Sequence, residues 1–336
     1  MRVLCLTFGD ATTASTFYRI HQYVAPLASR GIHLEPIPAR QFNDWEHIPN
    51  YDVVLLQKAL LPSGKLIKLR RLSRRLLYDV DDAVWHPHGK KHFFLTNLRK
   101  HLRLRTIARA ADLCIAANNV LAAYLRSFTK NVVTLPMALN ELEWKSRDFA
   151  VVGEELRIGW SGHPVNLRYL LAIEEPLVKI QAQFPHTEVV VFSGDMPCFQ
   201  SLKAVHLPFV QGTEPEVLRT FDIGLLPLPD DPFSQGKSPI KGLQYLACGT
   251  TVVASPVGAT KEILQQDRTA LFAVSLDEWV LRLRELIENP AKLREISLAA
   301  RRCFEEQFTL TRVAPRLAAI LSAASLTAQN EDLLSH

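Results

Sequence analysis

Two stretches carry residue types that could do chemistry at a useful spacing. The first is Gly236-Lys-Ser-Pro-Ile-Lys-Gly-Leu-Gln-Tyr-Leu-Ala-Cys-Gly249, a polar loop opening a short helix that closes at Gly249. A helix N-terminus offers unpaired N–H groups and a partial positive charge. Lys237 and Lys241 add two cations there, and Pro239 suits a helix start. This is a design for binding a diphosphate, with Ser238 in the same loop. Gln244, three residues after Lys241 on the same helical face, can hydrogen-bond a ribose hydroxyl. Singly, each lysine also reads as a solvated charge and Gln244 as an idle polar group; the loop around them favours the anion site.

The second is Tyr78-Asp-Val-Asp-Asp-Ala-Val-Trp85. Asp79 and Asp81 share one face at the end of a predicted strand, and Asp82 begins the following loop. Three carboxylates this close resist full ionisation unless cations or donors lie near, which marks them as site candidates. The competing reading has one of them capping the turn and another pairing with Arg19 or a basic helix. Among the eleven histidines only His163, just after a predicted strand end, is a site candidate, against the reading of a loop histidine with no role.

The elements that must position these residues follow from the pattern of apolar runs. Strands are expected at Arg2–Phe8, His33–Ile37, Asp52–Gln57, Leu76–Val80, Leu113–Ala116 and Val132–Leu135. A second set is expected at Leu156–Trp160, Glu188–Phe192, Ala204–Leu207, Ile223–Leu226, Thr251–Ala254 and Ala270–Phe272. Helical patterns fall between them, including Thr16–Arg30, Arg168–Gln183, Pro215–Thr220 and Pro239–Cys248, and the pattern from Leu276 to Ala324 is helical only. The alternation predicts an α/β protein of two doubly wound, Rossmann-like domains facing a central cleft, with ligands beyond the C-terminal strand ends. The boundaries expected are 1–138, an exposed connector at 139–155, 156–308, a helix at 309–324 packing back toward the first domain, and a frayed tail at 325–336.

At 336 residues, 48% hydrophobic and 22% charged, with mean hydropathy +0.03, the chain can bury sizeable cores and is neither disordered nor collagen-like. No stretch has the apolar length of a membrane span, and Arg2–Phe8 suits a buried strand better than a signal peptide, so a cytoplasmic protein is expected. Five cysteines without a C-x-x-C pair read as buried thiols. Charge is uneven: residues 58–109 hold fourteen Lys or Arg against three Asp, within a chain of net charge only +5. An anionic partner or a solvated basic face explains that polarity. Lys65–Leu77 interleaves cations, among them Arg70, Arg71, Arg74 and Arg75, with leucines, and Lys90–Leu95 puts aromatics beside charges. Such interleaving predicts peripheral contact with an anionic membrane, unless the leucines face the core of the first domain. Few stacking aromatics and no reader motif accompany the basic run, so no nucleic acid partner is expected.

With these motifs in order, the chain resembles the group 1 glycosyltransferases, the retaining family 4 of GT-B fold, over residues 1–310. Gly236 to Gly249 resembles the branch pattern G-K-x-x-x-K-x-x-Q-Y-x-A-x-G. Ser15-Thr-Phe-Tyr-Arg19 is similar to its "YR" segment, Asp79 to Trp85 to its D-x-D-D-A-x-W strand end, and Ile158-Gly-Trp-Ser-Gly162 to its I-G-W-x-G strand. The resemblance implies a metal-independent retaining enzyme of cell-surface polysaccharide biosynthesis. Such an enzyme moves a sugar from a nucleotide diphosphate to a glycan or lipid-linked acceptor and has no cofactor beyond that donor. It implies donor binding by Gly162, His163, Lys237, Ser238, Lys241 and Gln244, catalytic roles for Asp81, Asp82 and Lys241, and acceptor-side candidates Tyr18, Arg19 and Asp79.

Three departures stand out. Gly236 and Gln244 occupy the places of the commoner pair of glutamates, the first loop lacks its usual glycine pair, and His163-Pro-Val-Asn-Leu-Arg168 replaces a basic pair. Asp79-Val-Asp81 also spells the D-x-D that binds manganese in GT-A enzymes, but lysines and a helix terminus already supply the charge a cation would bring. The alternatives are a nucleotide-sugar epimerase or hydrolase on the same scaffold, or a non-catalytic binder of anionic membrane or nucleic acid through residues 58–109.

Overall fold

The computed structural model describes residues 1–86, 94–148 and 155–334. The chain divides into two compact units: Met1–Ala138 with Gln235–Ser238 and Leu310–His336, and Leu139–Ser234 with Pro239–Thr309.

In the first unit β1 (Arg2–Thr7), β2 (His33–Pro38), β3 (Val53–Gln57), β4 (Leu76–Val80), β5 (Leu113–Ala116) and β6 (Val132–Thr134) form one parallel sheet in the order β2-β1-β3-β4-β5-β6. Covered on both faces, the inner strands β1, β3, β4 and β5 read as nearly unbroken apolar runs, whereas the edge strands β2 and β6 are only partly buried. Cys5, Leu55 and Leu77 are neighbours in register on one face and pack with Tyr23, Leu27 and, from the last helix, Val313, Leu317 and Leu321. The strand order reverses between β1 and β3, and in open α/β sheets a ligand crevice lies beyond the strand ends at that point.

The second unit repeats the design with β7 (Leu156–Ser161), β8 (Thr187–Ser193), β9 (Ala204–Pro208), β10 (Ile223–Leu226), β11 (Thr251–Ala254) and β12 (Ala270–Phe272), ordered β12-β11-β10-β7-β8-β9. All its pairings are parallel, and its reversal lies between β10 and β7. Ile158, Val189, Val191, Leu225 and Val253 pack against Leu177, Ile180, Trp279 and Leu283 of the flanking helices.

Each expected strand is present, with ends that move by no more than a residue. Two expected helices are broken instead. The run Thr16–Arg30 becomes a helix at Ala14–Arg19, a 3-10 turn at His21–Tyr23 and a helix at Val24–Ala28. The chain departs from helical angles at Ile20 (φ −129°), and Pro26, in the first turn of Val24–Ala28, has no N–H to donate to the Gln22 carbonyl, so the two helices do not join. The Gln22 side chain bridges the opening by donating to the carbonyls of Tyr18 (2.6 Å) and Ala138 (3.0 Å). Pro176 acts alike in Arg168–Gln183, which divides into Leu167–Leu171 and Glu174–Gln183.

Three further expectations are corrected. Asn140–Asp148 is not simply an exposed connector: Trp144 is buried, Arg147 pairs with Asp222, and Arg301 donates to the Trp144 carbonyl at 2.7 Å. Residues 149–154 lie outside the described residues. The last helix runs Leu310–Leu334 and includes most of the expected tail. In the basic stretch, Leu66, Leu69, Leu76 and Leu77 are buried and face the core, not a lipid surface. Arg70 and Arg75 pair with Asp112 at 3.1 and 3.4 Å, and Arg74 lies 3.9 Å from Asp52. The stretch is an amphipathic crossover helix and the strand after it. Residues 90–93 fall outside the described residues. Cys5, Cys114, Cys248 and Cys303 are buried free thiols, and Cys198 is exposed.

Candidate functional site

In the first unit the acids at the end of β4 each meet a cation. Arg19 and Asp79 form a two-pronged ion pair, both only 3% exposed, with Arg19 Nε 3.0 Å from Asp79 Oδ2 and a second contact between Nη2 and Oδ1. Arg19 also donates to the Leu135 carbonyl at 2.8 Å, so it ties the helix Ala14–Arg19 to β4 and to the end of β6. Burial alone would disfavour its charge, but Asp79 reverses the balance and holds the guanidinium charged. Arg19 and Asp79, expected on the acceptor side, are therefore internal packing groups already engaged with each other; Tyr18, half-buried, is the member of that set with an open surface.

Asp81 and Asp82 face Lys58, which follows β3. Its ammonium lies 2.6 Å from Asp82 Oδ2, 3.1 Å from Asp81 Oδ1 and 3.3 Å from Ser15 Oγ. Gln57 donates to Ser15 Oγ at 3.0 Å and accepts from the Phe8 N–H at 2.9 Å, which joins the end of β1 to the same network. Burial pushes the Asp81 carboxyl up, and Lys58 offsets that only in part. For Asp82 burial also opposes ionisation, but Lys58, Lys237 and the Ser238 N–H outweigh it and hold the carboxyl below its ordinary range.

The segment Gln235–Ser238 packs in this unit. Ser238 Oγ donates to the Asp81 carbonyl at 2.5 Å, its N–H approaches Asp82 Oδ1 at 3.4 Å, and Asn118 Nδ2 donates to Ser238 Oγ at 3.2 Å. A Cβ on Gly236 would come within 2.7 Å of the Ala83 methyl, so this backbone approach excludes the glutamate of the commoner family pattern. Asp81, Asp82, Lys237 and Ser238 are thus brought together in the first unit, with Asp79 and Arg19 beside them. Lys58, Ser15 and Asn118 were not singled out from the sequence. The available signal was Gln57-Lys58, two polar residues closing the strand Val-Val-Leu-Leu.

In the second unit the residues expected to bind an anion sit on the helix Ile240–Cys248, whose N-cap is Pro239 and whose end is Gly249 in left-handed backbone (φ +69°). Its depth is set by Tyr245. Gly159 and Gly224 are register partners on β7 and β10, and a Cβ on Gly224 would meet the Tyr245 ring at 2.8 Å. The Tyr245 hydroxyl accepts from the Ser161 N–H at 3.1 Å, so the helix is anchored beside the β7 end. This fixes half-buried Lys241 in the first turn and Gln244, 2% exposed, one turn on. Gly162 and His163 leave the end of β7 at the reversal of strand order, and exposed His163 accepts from the Val165 N–H at 3.3 Å through Nδ1, capping the 3-10 turn Pro164–Asn166.

Among the described residues no group of three or more His, Cys, Asp or Glu is arranged to hold a metal ion. Both acids of the D-x-D are taken by internal cations, Asp79 by Arg19 and Asp81 by Lys58.

A family model described as glycosyl transferase-like matches residues 136–319, more than half of the chain. The chain belongs to this family. Among curated proteins none matches the glycosyltransferase. Among solved structures it is similar to HepE of Anabaena in complex with UDP, at TM-score 0.72 and 15% identity over 96% of this chain and 100% of that one. Sucrose-phosphate synthase of Thermosynechococcus elongatus gives TM-score 0.74 and 15% identity, over 96% and 98%. A glycosyltransferase of Rickettsia africae gives TM-score 0.64 and 10% identity, over 96% and 98%. With its two six-stranded parallel sheets, the glycosyltransferase has the GT-B fold.

Proposed function

We propose that the chain is a metal-independent retaining glycosyltransferase of the group 1 kind, moving a sugar from a nucleotide diphosphate to a glycan or lipid-linked acceptor. The observation that carries this reading is the helix Ile240–Cys248, which starts after Pro239 with Lys241 in its first turn and Gln244 on the same face, inside the segment matched by the family model. Departure of the nucleotide leaves charge on the β-phosphate, and fixed donors aimed at that charge lower the barrier. Lys241, the first-turn N–H groups and Lys237 would supply them, and Gln244 would hold the ribose. Retention follows if the incoming hydroxyl attacks the face the leaving group departs, with a phosphate oxygen taking its proton. Asp82 would orient hydroxyls near the reacting carbon, with Asp81 behind it. Metal independence is supported by the cations that already compensate Asp79 and Asp81.

HepE has been solved with UDP, with UDP and glucose, and with UDP-glucose, so uridine donors are the first to test. In a thermal-shift screen of nucleotide sugars, a uridine diphosphate sugar is expected to raise Tm, and incubation with oligosaccharide or lipid-linked acceptors to release UDP with the product anomer matching the donor. UDP release that does not depend on acceptor favours a hydrolase, and an inverted product removes the retaining assignment.

A peripheral membrane reading is favoured by a different surface from the one expected. On the helix Phe94–Ala110, Leu95, Leu98 and Leu102 are exposed by 74%, 43% and 48% at a spacing that puts them on one side. With Ser63, Arg99, Arg103 and Thr106 they line a groove. The helix sequence has five Lys or Arg and no acid, a match for anionic headgroups. No helix of the described residues is long and apolar enough to cross a membrane. Sedimentation with anionic but not neutral vesicles, lost when Leu95, Leu98 and Leu102 become Gln, is the expected result; no sedimentation at low salt removes this reading.

A further inference from the structure

Lys58 has its backbone in the left-handed region (φ +60°), which a residue with a Cβ adopts at a cost and which Gly or Asn takes more readily. Its N–H still donates to the Asp79 carbonyl at 2.7 Å, one step past the last β3–β4 pair, so the turn comes directly at the strand end. That strand end lies at the β1/β3 reversal of the sheet. Three acceptors surround the ammonium: Asp82, Asp81 and Ser15. The side chains of Lys58 and Asp81 are 10% and 4% exposed, whereas that of Asp82 is 24% exposed. Asp82 is therefore the open end of the cluster. A strained, buried lysine kept where glycine would fit better implies a requirement for its ammonium.

We propose that Lys58 is a positioning residue of the transfer reaction, holding the Asp82 carboxylate in place and ionised so that it meets sugar hydroxyls as a hydrogen-bond acceptor. The role in transfer rests on the glycosyltransferase reading; the geometry of the cluster does not. Asp82 faces Lys58 at the end of β3, Asp81 at the end of β4, and Lys237 and Ser238 of the segment 235–238; Asp81 also feels Asp79 of β4 and Arg19 of the helix Ala14–Arg19. Without Lys58, two adjacent carboxylates in a buried site would lose their nearest cation, and protonation of one would relieve the repulsion.

The test compares Lys58→Met and Lys58→Arg in the full chain by kcat/KM against pH and by thermal unfolding against pH. In Lys58→Met the acid limb is expected to move up by about one pH unit or more, with kcat falling more than KM changes, while Lys58→Arg keeps the limb of the parent. Burial already pushes the Asp81 carboxyl up, and removing Lys58 takes away the charge that offsets it, so the loss of stability falls on the ionised form and grows as pH rises. The Tm deficit of Lys58→Met should therefore be largest near pH 8 and shrink toward pH 5, and Asp82→Asn added to it should reduce that pH dependence. An unmoved acid limb or a Tm deficit independent of pH overturns the proposal and leaves Lys58 a packing residue. If the parent turns over no nucleotide sugar, the transferase reading fails while the unfolding series still decides the electrostatic role of Lys58.

Discussion

The carboxylate cluster of the first unit and the helix start of the second build charge at the ends of parallel strands by opposite means. In the first, full charges are buried and answer one another: Arg19 with Asp79, Lys58 with Asp81 and Asp82. Each group there has lost most of its water, so removing one partner strands the other. In the second, the charge comes from backbone N–H groups and a half-buried lysine, and what is buried is the packing that sets the helix in place: Tyr245 against Gly224 of β10, its hydroxyl accepting from the Ser161 N–H of β7. The difference predicts that the buried Arg19–Asp79 pair should break in stability and the helix start in activity.

The largest effect is expected for Arg19→Ala, which leaves Asp79 buried without its partner and should cost about 3–5 kcal/mol of folding stability by denaturant titration. A loss under 1 kcal/mol would show that the pair is not the structural group described. Lys241→Ala should reverse the pattern: an unfolding curve close to that of the parent, but kcat/KM lower by at least about 30-fold, about 2 kcal/mol of transition-state stabilisation. Unchanged turnover in the folded variant would remove the anion site from this helix. Lys58 sharpens the contrast through its backbone, because Lys58→Gly should be more stable than Lys58→Ala by about 1 kcal/mol, both lacking the ammonium and only the alanine retaining the strain. Equal stabilities would mean that the left-handed turn is not costly there. The smallest effect is expected for Gln244→Glu, which restores the commoner ribose partner and should alter donor affinity by about threefold or less in a calorimetric titration. Abolished binding would mean that Gln244 does something other than hold ribose.

Much of the fold was legible because parallel strands buried on both faces must be apolar over their whole length, and runs such as Val53–Leu56 and Thr251–Ala254 have no other comfortable home. Helix continuity was less legible, since a periodic apolar face survives a proline while the backbone bond beneath it does not, as at Pro26 and Pro176. The second-unit site was readable because its parts are contiguous: loop, cations, helix and closing glycine lie within fourteen residues. Lys58 was absorbed into a basic run and Arg70, Arg74 and Arg75 into a supposed lipid face, because composition shows how many charges there are and not which carboxylate each one meets.

By itself the sequence determined two sheets, their twelve strands, the helix that carries Lys241 and Gln244, and the family to which the chain belongs. Those are properties of local pattern and short spacing. Only the tertiary structure decided that Asp79 belongs to Arg19, that Asp81 and Asp82 share Lys58 across 23 and 24 positions of sequence, and that Gly236 must be a glycine because of Ala83. Ion pairing and close packing depend on distance in space, and in a sheet of reordered parallel strands that distance bears little relation to separation along the chain.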